Sequence, residues 1–325
     1  MKPLVYVSRV IPEPGMKLLY ESCDVILHEE RDVPPTREEL LSKSRDCVGA
    51  LVLLTEKIDR EFLDNATKLR VVSTMSVGFD HIDLDYATSK GITVTHTPDV
   101  LTEATADYAF ALLLAASRRV AEGDRFVRSG QWNKPWSPYL LLGNDVHGRT
   151  LGIVGMGRIG KEVARRASGF NMNVIYFDRK GPLPNLEPAR YCEFDDLLGR
   201  SDFISLHIPL DRRTAHMFGE REFSLMKKSA IFVNASRGGI IQTSALHSAL
   251  EQKKIFAAGL DVFEEEPINP KNPLLKLDNV ILSPHLGSAS IQARSQMSEM
   301  AAMNLISALN GDLPRSLANT KDLRR

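Results

Sequence analysis

The sequence has few cysteines and no long run of apolar residues. Its three cysteines, Cys23, Cys47 and Cys192, are odd in number and widely spaced along 325 residues, which fits neither a disulfide framework nor a zinc site. We therefore expect reduced structural thiols and no metal site. The most apolar stretch, residues 109–116, is far shorter than the roughly 20 residues of a membrane span, and the N-terminus lacks the apolar core of a signal peptide. These absences predict a cytoplasmic protein without a membrane contact.

The sequence also lacks an excess of either charge. Lysine and arginine together number 41, as do aspartate and glutamate, and the basic residues are scattered, so no footprint for a nucleic acid is present. A small-molecule partner is favoured instead. The hydrophobic content of 43% supports a large core, and the length favours two domains of about 100 to 200 residues each.

Short β-rich runs alternate with helical patterns through the first hundred residues: LVYVS, DVILH, ALVLL, RVVST and ITVTH. This alternation predicts a mostly parallel α/β sheet. It restarts after residues 131–148 with TLGIVGMGRIGKEVARRASGF, followed by NVIYFD, DFISLHIP, AIFVNASRG, FAAGLDVF and NVILSPH, which predicts a second doubly wound unit. Between the two, LTEATADYAFALLLAASRRVAEGDRF is typical of one long helix, buried in a domain or against a second subunit.

A glycine pattern marks a dinucleotide site in the second unit. Gly155, Gly157 and Gly160 form G-x-G-x-x-G between the predicted strand LGIV and the helix RIGKEVARRA. The first two glycines allow a tight turn and close approach of a pyrophosphate to a helix N-terminus, and the third permits packing of the helix on the strand. The strand-turn-helix context favours a nicotinamide dinucleotide over a structural turn.

The second strand of this unit, NVIYFD, ends in Asp178, about 20 residues after the glycines, where a carboxylate can bind the adenosine ribose hydroxyls. Asp178 would repel the 2′-phosphate of NADP, whereas the adjacent Arg179 and Lys180 could bind it. NAD(H) is therefore favoured, and NADP(H) stays possible.

Four separated motifs, STMSVGFDHIDL, VNASRGG, AAGLDVFEEEP and SPHLGSAS, accompany the glycine pattern. With them the chain resembles the D-isomer-specific 2-hydroxyacid dehydrogenases over nearly all of residues 1–315. Within that family, TPDVLTEATAD and NPLLKLDNVILSPHLGSA are most similar to the glyoxylate and hydroxypyruvate reductases. The resemblance implies NAD(P)H-dependent reduction of glyoxylate or hydroxypyruvate to glycolate or D-glycerate.

The resemblance also implies the domain organisation. A Rossmann NAD(P)-binding domain, residues 100–286, is expected as an insertion in a flavodoxin-like substrate-binding domain made of residues 1–99 and 287–325. Both are doubly wound parallel-sheet α/β domains, with the active site in the cleft, and the family's homodimer is expected.

Three catalytic residues follow from the resemblance. Arg237 would bind the carboxylate and carbonyl oxygen of the substrate, His285 would donate the proton, and Glu266 would pair with His285. The chemistry is independently reasonable, because a planar permanent cation matches a carboxylate, and a nearby carboxylate keeps an imidazole protonated. Spacing alone does not choose Glu266 over Glu264 and Glu265, which we interpret as solvated loop charges.

Matching positions complete the implied site. On the substrate side they are Leu53 or Leu54, Ser76, and the backbone N–H groups of Val77 and Gly78. On the cofactor side they are Thr105, Gly155, Gly157, Arg158, Ile159, Gly160, Asp178, Arg179, Ile208, Pro209, Thr214, Ala235, Ser236, Asp261, His285 and Gly287. Asp261 would face the nicotinamide amide.

Two positions depart from the family pattern. Leu140 occupies the place of a tryptophan that reaches into the partner subunit's pocket, and Gln242 replaces an acidic residue at a helix start.

The identity of the substrate stays open, because other 2-keto acids, namely 2-ketogluconate, pyruvate and phosphohydroxypyruvate, are alternatives. An alternative from another class is a non-catalytic, NAD-sensing protein similar to the C-terminal-binding corepressors. Glu266 argues against the formate dehydrogenases of this fold, which have glutamine there.

Overall fold

The computed structural model describes residues 2–319, so residues 320–325 at the end of the predicted substrate-binding domain lie outside the described residues. The chain divides into two compact units. The terminal unit contains the residues up to Leu101 and those from Ala289 onward, and the central unit is Thr102–Ser288. The boundaries fall after Leu101 and Ser288, where the sequence placed them after residues 99 and 286.

The terminal unit contains a five-stranded parallel sheet with the strand order β2-β1-β3-β4-β5. This is the flavodoxin-like order. Its strands are β1 (Leu4–Val7), β2 (Asp24–Leu27), β3 (Gly49–Val52), β4 (Val71–Thr74) and β5 (Thr93–Thr95). Its helices, with labels in chain order, are α1 (Glu13–Ser22), α2 (Arg37–Ser44), α3 (Arg60–Asn65), α4 (Leu84–Ser89) and α11 (Ile291–Asn310).

Two of these helices, α1 and α11, pack directly on one another. Gly15 makes the close approach possible, because a Cβ atom there would clash with the Ser298 carbonyl. The helix α11 begins at a Ser290 cap, whose hydroxyl accepts from the Ala293 N–H, and ends at Gly311 in the left-handed conformation with φ of 86°. Gly311 thus ends the helix, since glycine adopts this conformation without a steric penalty.

The central unit contains a seven-stranded parallel sheet with the order β12-β11-β10-β9-β6-β7-β8. Its strands are β6 (Thr150–Val154), β7 (Asn173–Phe177), β8 (Arg190–Tyr191), β9 (Phe203–Leu206), β10 (Ile231–Asn234), β11 (Ala257–Leu260) and β12 (Val280–Leu282). Its helices are α5 (Thr102–Ser117), α6 (Val120–Arg128), α7 (Arg158–Ser168), α8 (Phe194–Arg200), α9 (Glu220–Leu225) and α10 (Thr243–Glu251), with short 3₁₀ turns at Gly238–Ile240 and Pro273–Lys276.

This strand order is that of a Rossmann fold extended by one strand, and it reverses between β6 and β9. The central strands are buried on both faces. Ile231 and Val233 of β10 join one hydrophobic cluster, under α5 and α7, while Phe232 joins the opposite cluster. The prediction of two doubly wound parallel-sheet units, one inserted in the other, is therefore confirmed.

The prediction of one long helix before the central sheet is wrong. The helix α5 ends at Ser117, and α6 begins at Val120 after Arg119, whose φ is 55°. The Ser117 carbonyl accepts from the Asn144 N–H at 2.9 Å, and the Ser117 hydroxyl donates to the Asn144 carbonyl at 2.7 Å. These bonds to a distant segment compete with continuation of the helix, which sequence periodicity does not reveal. The two-residue edge strand β8 was also missed, because it is too short to produce a pattern.

Candidate active site

The three glycines of the central unit lie in the turn from β6 to α7, and each has a different surrounding. Gly155 has φ of 95°, and a Cβ atom there would lie 2.6 Å from the His207 carbonyl oxygen. Gly160 packs so closely on the turn that a Cβ atom would clash with the Gly155 carbonyl. Around Gly157, in contrast, a Cβ atom would meet nothing within 4 Å. The turn therefore leaves open space at the N-terminus of α7, where Arg158 and Ile159 begin the helix, as a bound pyrophosphate requires.

Asp178 directly follows β7 and lies against this turn. Its Oδ2 accepts from the Met156 N–H at 3.1 Å, and its Oδ1 accepts from the Lys180 N–H at 3.0 Å. Both bonds fix the orientation of the carboxylate beside the glycine turn. The neighbouring Arg179 donates from Nη1 to Asp211 Oδ2 at 2.7 Å, and this pairing lowers the Asp211 pKa to about 2.

The segment after β9 borders the same turn. Ile208 would be 2.6 Å from a Cβ atom at Gly155. Thr214 is buried, and its hydroxyl donates to the Pro209 carbonyl at 2.7 Å and accepts from the Asp211 N–H at 2.7 Å. The predicted positions Ile208, Pro209 and Thr214 thus form one hydrogen-bonded loop at the point where the strand order reverses. Ligands of open parallel sheets bind at such a point.

The predicted residues after β10 are arranged by a buried asparagine. The Asn234 Oδ1 accepts from the Ser236 N–H at 3.0 Å, and its Nδ2 donates to the Arg237 carbonyl at 2.9 Å. These bonds close a turn that contains Ala235, Ser236 and Arg237. Next to it, Gly238 packs against Phe263 so closely that a Cβ atom would clash with the Phe263 backbone. The Arg237 turn therefore contacts the loop after β11, residues 263–266, which we call the glutamate loop.

The segment after β12, residues 283–287, carries His285 and is called the histidine loop. Its residues are hydrogen-bonded to Asp261, the buried residue that follows β11. The Asp261 Oδ1 accepts from the Ser283 hydroxyl and from the Leu286 N–H, each at 2.7 Å, and its Oδ2 accepts from the Gly287 N–H at 2.7 Å. The Asp261 carboxylate, which was expected to face the nicotinamide amide, thus accepts three hydrogen bonds from within the protein.

The catalytic pair expected from the sequence is close in space. His285 Nδ1 lies 2.8 Å from Glu266 Oε2, and Glu266 Oε1 accepts from the Phe263 N–H at 2.9 Å. Burial acts to raise the pKa of Glu266, but the hydrogen bond and the charge of His285, with smaller contributions from the Phe263 N–H and Arg237, outweigh it and lower the pKa. Glu266 is therefore ionised at neutral pH and able to hold a protonated imidazole.

The neighbouring glutamates differ from one another. Glu265 is exposed, as expected. Glu264 is also exposed, but its Oε1 lies 2.8 Å from His216 Nε2, and its Oε2 accepts from the Thr243 N–H at 3.0 Å. Gln242 makes no side-chain cap for α10, so Glu264 supplies the anionic cap of this helix from the glutamate loop. In the sequence, the lack of an acidic residue at position 242 indicated that the cap of this helix differs from the family pattern. The residue that caps it instead, Glu264, is 21 positions away from Thr243 in the chain.

The remaining predicted residues belong to the terminal unit and follow β3 and β4. Ser76 donates from its hydroxyl to the Gly78 carbonyl at 2.6 Å, and His96 Nδ1 lies 2.9 Å from the Val77 carbonyl oxygen. The N–H of Leu53 donates to the buried Glu56 at 2.6 Å. The Ser76 hydroxyl therefore stabilises its own loop, and His96 contacts the backbone of the same loop.

Three further observations concern the cysteines, the metal-binding side chains and the helices. All three cysteines are buried and free. Within residues 2–319, no group of three or more histidine, cysteine, aspartate and glutamate side chains could hold a metal ion, and no helix of that range is long and apolar enough to cross a membrane. The cytoplasmic location stays a prediction.

Comparison with known proteins shows the family of this chain. The NAD binding domain of the D-isomer specific 2-hydroxyacid dehydrogenases matches residues 110–287. The chain is 49% identical to the glyoxylate reductase of Thermofilum pendens, covering 99% of this chain and 96% of that one. It is 48% identical to the glyoxylate reductase of Pyrococcus horikoshii, covering 100% and 98%. The chain therefore belongs to the D-isomer specific 2-hydroxyacid dehydrogenase family.

Two solved structures are similar over the whole chain. A protein from Thermus thermophilus is 42% identical with a TM-score of 0.91, covering 97% of this chain and 99% of that one. An NADPH-dependent glyoxylate/hydroxypyruvate reductase from Sinorhizobium meliloti, solved in complex with NADP and malonate, is 31% identical with a TM-score of 0.86, covering 100% and 99%.

Proposed function

We propose that this protein reduces glyoxylate and hydroxypyruvate to glycolate and D-glycerate with a nicotinamide dinucleotide. The observation that carries the proposal is the His285–Glu266 pair at 2.8 Å, in a chain whose full-length relatives include glyoxylate reductases. The glycine turn and Asp178 fit the cofactor, because the protein leaves space at Gly157 and fixes a carboxylate beside it. When bound, the reduced nicotinamide supplies a hydride to the carbonyl carbon.

The residues of the central unit supply the other requirements of the reaction. Arg237 presents a permanent planar cation that orients the substrate carboxylate and polarises the carbonyl oxygen. His285 donates a proton to that oxygen as it gains negative charge, and the ionised Glu266 holds the imidazole in its protonated form and orientation. Placement of the acid and the cation on neighbouring loops restricts the substrate to one productive orientation.

The terminal unit is assigned the remaining contacts. We assign the backbone N–H groups of Val77 and Gly78 to the substrate carboxylate and Leu53 to the wall beside the substrate side chain. Ser76 is assigned to support this loop, since its hydroxyl already donates to Gly78. A substitution of Leu53 by a smaller residue is expected to change the preference between glyoxylate and hydroxypyruvate more than the turnover of glyoxylate.

For the cofactor, NAD(H) is favoured over NADP(H). Asp178 is fixed by two backbone N–H groups and would repel a 2′-phosphate, and the adjacent Arg179 is paired with Asp211. The Sinorhizobium relative is NADPH-dependent, so the direct comparison of NADH and NADPH is part of the test.

A homodimer is proposed from an exposed apolar segment of the central unit. The helix α6 has no buried residue, and Val127, Trp132, Trp136 and Tyr139 are each more than half exposed. Soluble proteins rarely expose a continuous apolar patch unless it is an interaction site, and a two-fold partner is the common solution. Leu140, at 39% exposure, is assigned to this surface in place of the family's tryptophan. Sedimentation analysis showing a monomer would refute the dimer.

The test of the proposed activity is the consumption of NADH or NADPH, followed by the absorbance of the reduced cofactor. Glyoxylate, hydroxypyruvate, phosphohydroxypyruvate, pyruvate and 2-ketogluconate are compared at equal concentrations, and Arg237→Lys serves as a folded variant with weak carboxylate recognition. We expect the first two substrates to give the highest kcat/KM. Turnover of only another keto acid would replace the substrate assignment, and binding of cofactor without any turnover would favour a cofactor-sensing protein.

A further inference from the structure

Residues 76–78, which we call the serine loop, follow the carboxyl end of β4 and present two adjacent backbone N–H groups. Within residues 2–319, neither the Val77 N–H nor the Gly78 N–H donates to a protein acceptor. Both residues are partly exposed. Neighbouring N–H groups without a protein partner favour an anion, and the proposed function assigns them to the substrate carboxylate.

The carbonyl groups of the serine loop, in contrast, are all bonded to protein donors. The Ser76 carbonyl accepts from the Thr97 N–H at 2.8 Å, and the Gly78 carbonyl accepts from the Ser76 hydroxyl at 2.6 Å. Between them, the Val77 carbonyl oxygen lies 2.9 Å from His96 Nδ1. A carbonyl oxygen has no proton to donate, so the donor is His96, and its ring carries a proton on Nδ1.

These bonds determine where the N–H groups of the loop point. In a planar trans peptide the N–H and the C=O point in opposite directions. The Val77 carbonyl and the Gly78 N–H belong to one peptide, so the bond from His96 on one side directs the Gly78 N–H to the other side. The bond from Thr97 acts in the same way on the Val77 N–H. A donor at the carbonyl also polarises the peptide and strengthens its N–H as a donor.

His96 is itself fixed by two further contacts within the terminal unit. Its carbonyl accepts at 3.0 Å from Nδ2 of Asn304, a residue of α11 that is 1% exposed. Its ring meets the ring of Phe79 edge-on, with the centroids 5.4 Å apart. The imidazole therefore contacts this segment in two separable ways, as a donor to the Val77 carbonyl and as a ring that packs on Phe79.

We propose that His96 is a positioning residue for the substrate carboxylate. Its Nδ1–H holds the peptide between Val77 and Gly78 so that the Gly78 N–H is presented to a carboxylate. The role rests on the proposed function, which assigns this N–H to the substrate. It adds a side chain that acts through the peptide and does not touch the substrate, so it affects the binding of the carboxylate more than the transfer of hydride and proton.

Two substitutions separate the donor of His96 from its ring. His96→Asn keeps an N–H donor near the position of Nδ1 and loses the ring, whereas His96→Phe keeps a ring against Phe79 and has no donor. His28→Phe is the matched control, because His28 is a buried histidine of the same unit whose Nε2 lies 3.1 Å from the carbonyl oxygen of Val33, in another loop. Thermal unfolding of each variant is recorded first, and His96→Leu, which also lacks a donor, replaces His96→Phe if that variant does not fold.

The first measurement is the binding of oxalate, an unreactive dicarboxylate, to the full-length protein with NADH present. In protein labelled with ¹⁵N-glycine, the amide signal of Gly78, assigned by its loss in Gly78→Ala, is followed as oxalate is added. We expect a saturable shift in the wild type. The dissociation constant of oxalate should rise about tenfold in His96→Phe, because one bond to a charged group is misdirected, and less than about threefold in His96→Asn and His28→Phe.

Three results of this titration would overturn the role of His96. One is an equal dissociation constant of oxalate in the wild type and in folded His96→Phe. Another is weakened binding in His96→Asn but not in His96→Phe, which would assign His96 to ring packing alone. The third is a Gly78 signal that does not respond to oxalate in the wild type, since there would then be no carboxylate contact to orient.

The second measurement is the steady-state reduction of glyoxylate. In His96→Phe we expect KM for glyoxylate to rise about tenfold, while kcat and the dissociation constant of NADH change less than about threefold, because the N–H binds the carboxylate equally before and during the reaction. His96→Asn should keep KM near that of the wild type. A lower kcat with an unchanged KM in His96→Phe would contradict the role.

The two measurements together distinguish this role from the proposed function. A wild type that binds oxalate at Gly78 with the expected response to His96→Phe, but reduces neither glyoxylate nor hydroxypyruvate, would refute the activity and support the role of His96. A wild type that reduces glyoxylate, with oxalate binding unaffected by His96→Phe, would support the activity and refute the role.

Discussion

His285 Nδ1 and Glu266 Oε2 lie 2.8 Å apart, although the residues are separated by 19 positions and follow different strands. The strands β11 and β12 are parallel neighbours, with Leu260 in register with Leu282. Their carboxyl ends therefore meet at one edge of the sheet, and the loops that follow them bring the acid and its partner together. Parallel pairing explains a contact that sequence distance obscures.

The first prediction concerns the charge of Glu266. In Glu266→Gln, we expect the pH above which glyoxylate reduction declines to move lower and turnover to fall roughly 10²-fold, because a carboxylate favours a protonated imidazole and an amide does not. Steady-state rates across a pH series measure both effects. Glu265→Gln is the matched control, since Glu265 is exposed in the same loop. Identical pH profiles for the two variants would contradict the assignment.

The lowered pKa of Glu266 also gives a stability prediction with a definite sign. A carboxylate whose pKa is lower in the folded protein contributes stability above its unfolded pKa and loses it as the pH falls. The stability difference between wild type and Glu266→Gln should therefore shrink as the pH falls from neutral to acid. Urea unfolding at a series of pH values measures it, and a difference that grows toward acid would be inconsistent with the ion pair.

The second prediction separates two glycines of the cofactor turn. Gly155→Ala must place a side chain at φ of 95° and 2.6 Å from a carbonyl oxygen, so we expect the free energy of unfolding to fall by more than about 2 kcal/mol. Gly157→Ala meets no protein atom within 4 Å and should cost at most about 1 kcal/mol as a helix cap.

In contrast to its small effect on stability, Gly157→Ala should have a large effect on the binding of NADH. Its open space is where a pyrophosphate would approach the helix N-terminus, so Gly157→Ala should weaken NADH binding at least about tenfold while the protein stays folded. Urea unfolding without cofactor and fluorescence titration with NADH measure the two quantities. Unimpaired NADH binding by folded Gly157→Ala would place the cofactor elsewhere.

The parts of the site that the sequence predicts most directly are local in the chain. The glycine turn and Asp178 lie on consecutive elements of one strand-helix-strand unit, so their order and spacing define the site. Glu266 is different, because three adjacent glutamates have the same local pattern. Only the family resemblance distinguishes Glu266 from its neighbours. In the structure, β12 lies beside β11, and this pairing brings His285 to Glu266.

Other features depend on tertiary contacts that no short pattern contains. The break after Ser117 arises from hydrogen bonds with Asn144, and the cap of α10 comes from Glu264 in another loop. The hydrogen bonds of the Asp261 carboxylate likewise depend on the histidine loop folding back onto it. In each case a polar group forms its hydrogen bond with a partner distant in sequence, so the pattern of neighbouring residues does not predict the contact.

The third prediction tests the preference for NAD(H). Asp178→Asn keeps the size of the side chain and removes its charge, so the ratio of kcat/KM for NADPH to that for NADH should rise roughly fivefold to tenfold. Asp196→Asn is the control, because Asp196 lies on α8 and pairs with Arg200 at 3.5 Å. An unchanged ratio in Asp178→Asn would show that this carboxylate does not face the ribose.

The last prediction concerns His207, a partly buried residue whose Nε2 lies 2.8 Å from the Ser205 hydroxyl. Burial lowers the pKa of His207 to about 4, whereas an unfolded histidine titrates near about 6.5. Above that value both states are neutral. As the pH falls from about 6.5 to about 4, the unfolded state takes up the proton first, so the folded protein loses stability.

His207→Gln should remove part of this acid sensitivity. One pKa unit corresponds to about 1.4 kcal/mol, and because the ring is only partly buried, we expect the loss of stability between neutral and acid pH to be smaller in the variant by an amount on the order of 1 kcal/mol. Urea unfolding of the cofactor-free protein at both pH values measures it, with His147→Gln as the exposed control. If His207→Gln and His147→Gln lost stability equally on acidification, burial of the neutral imidazole would not be the cause.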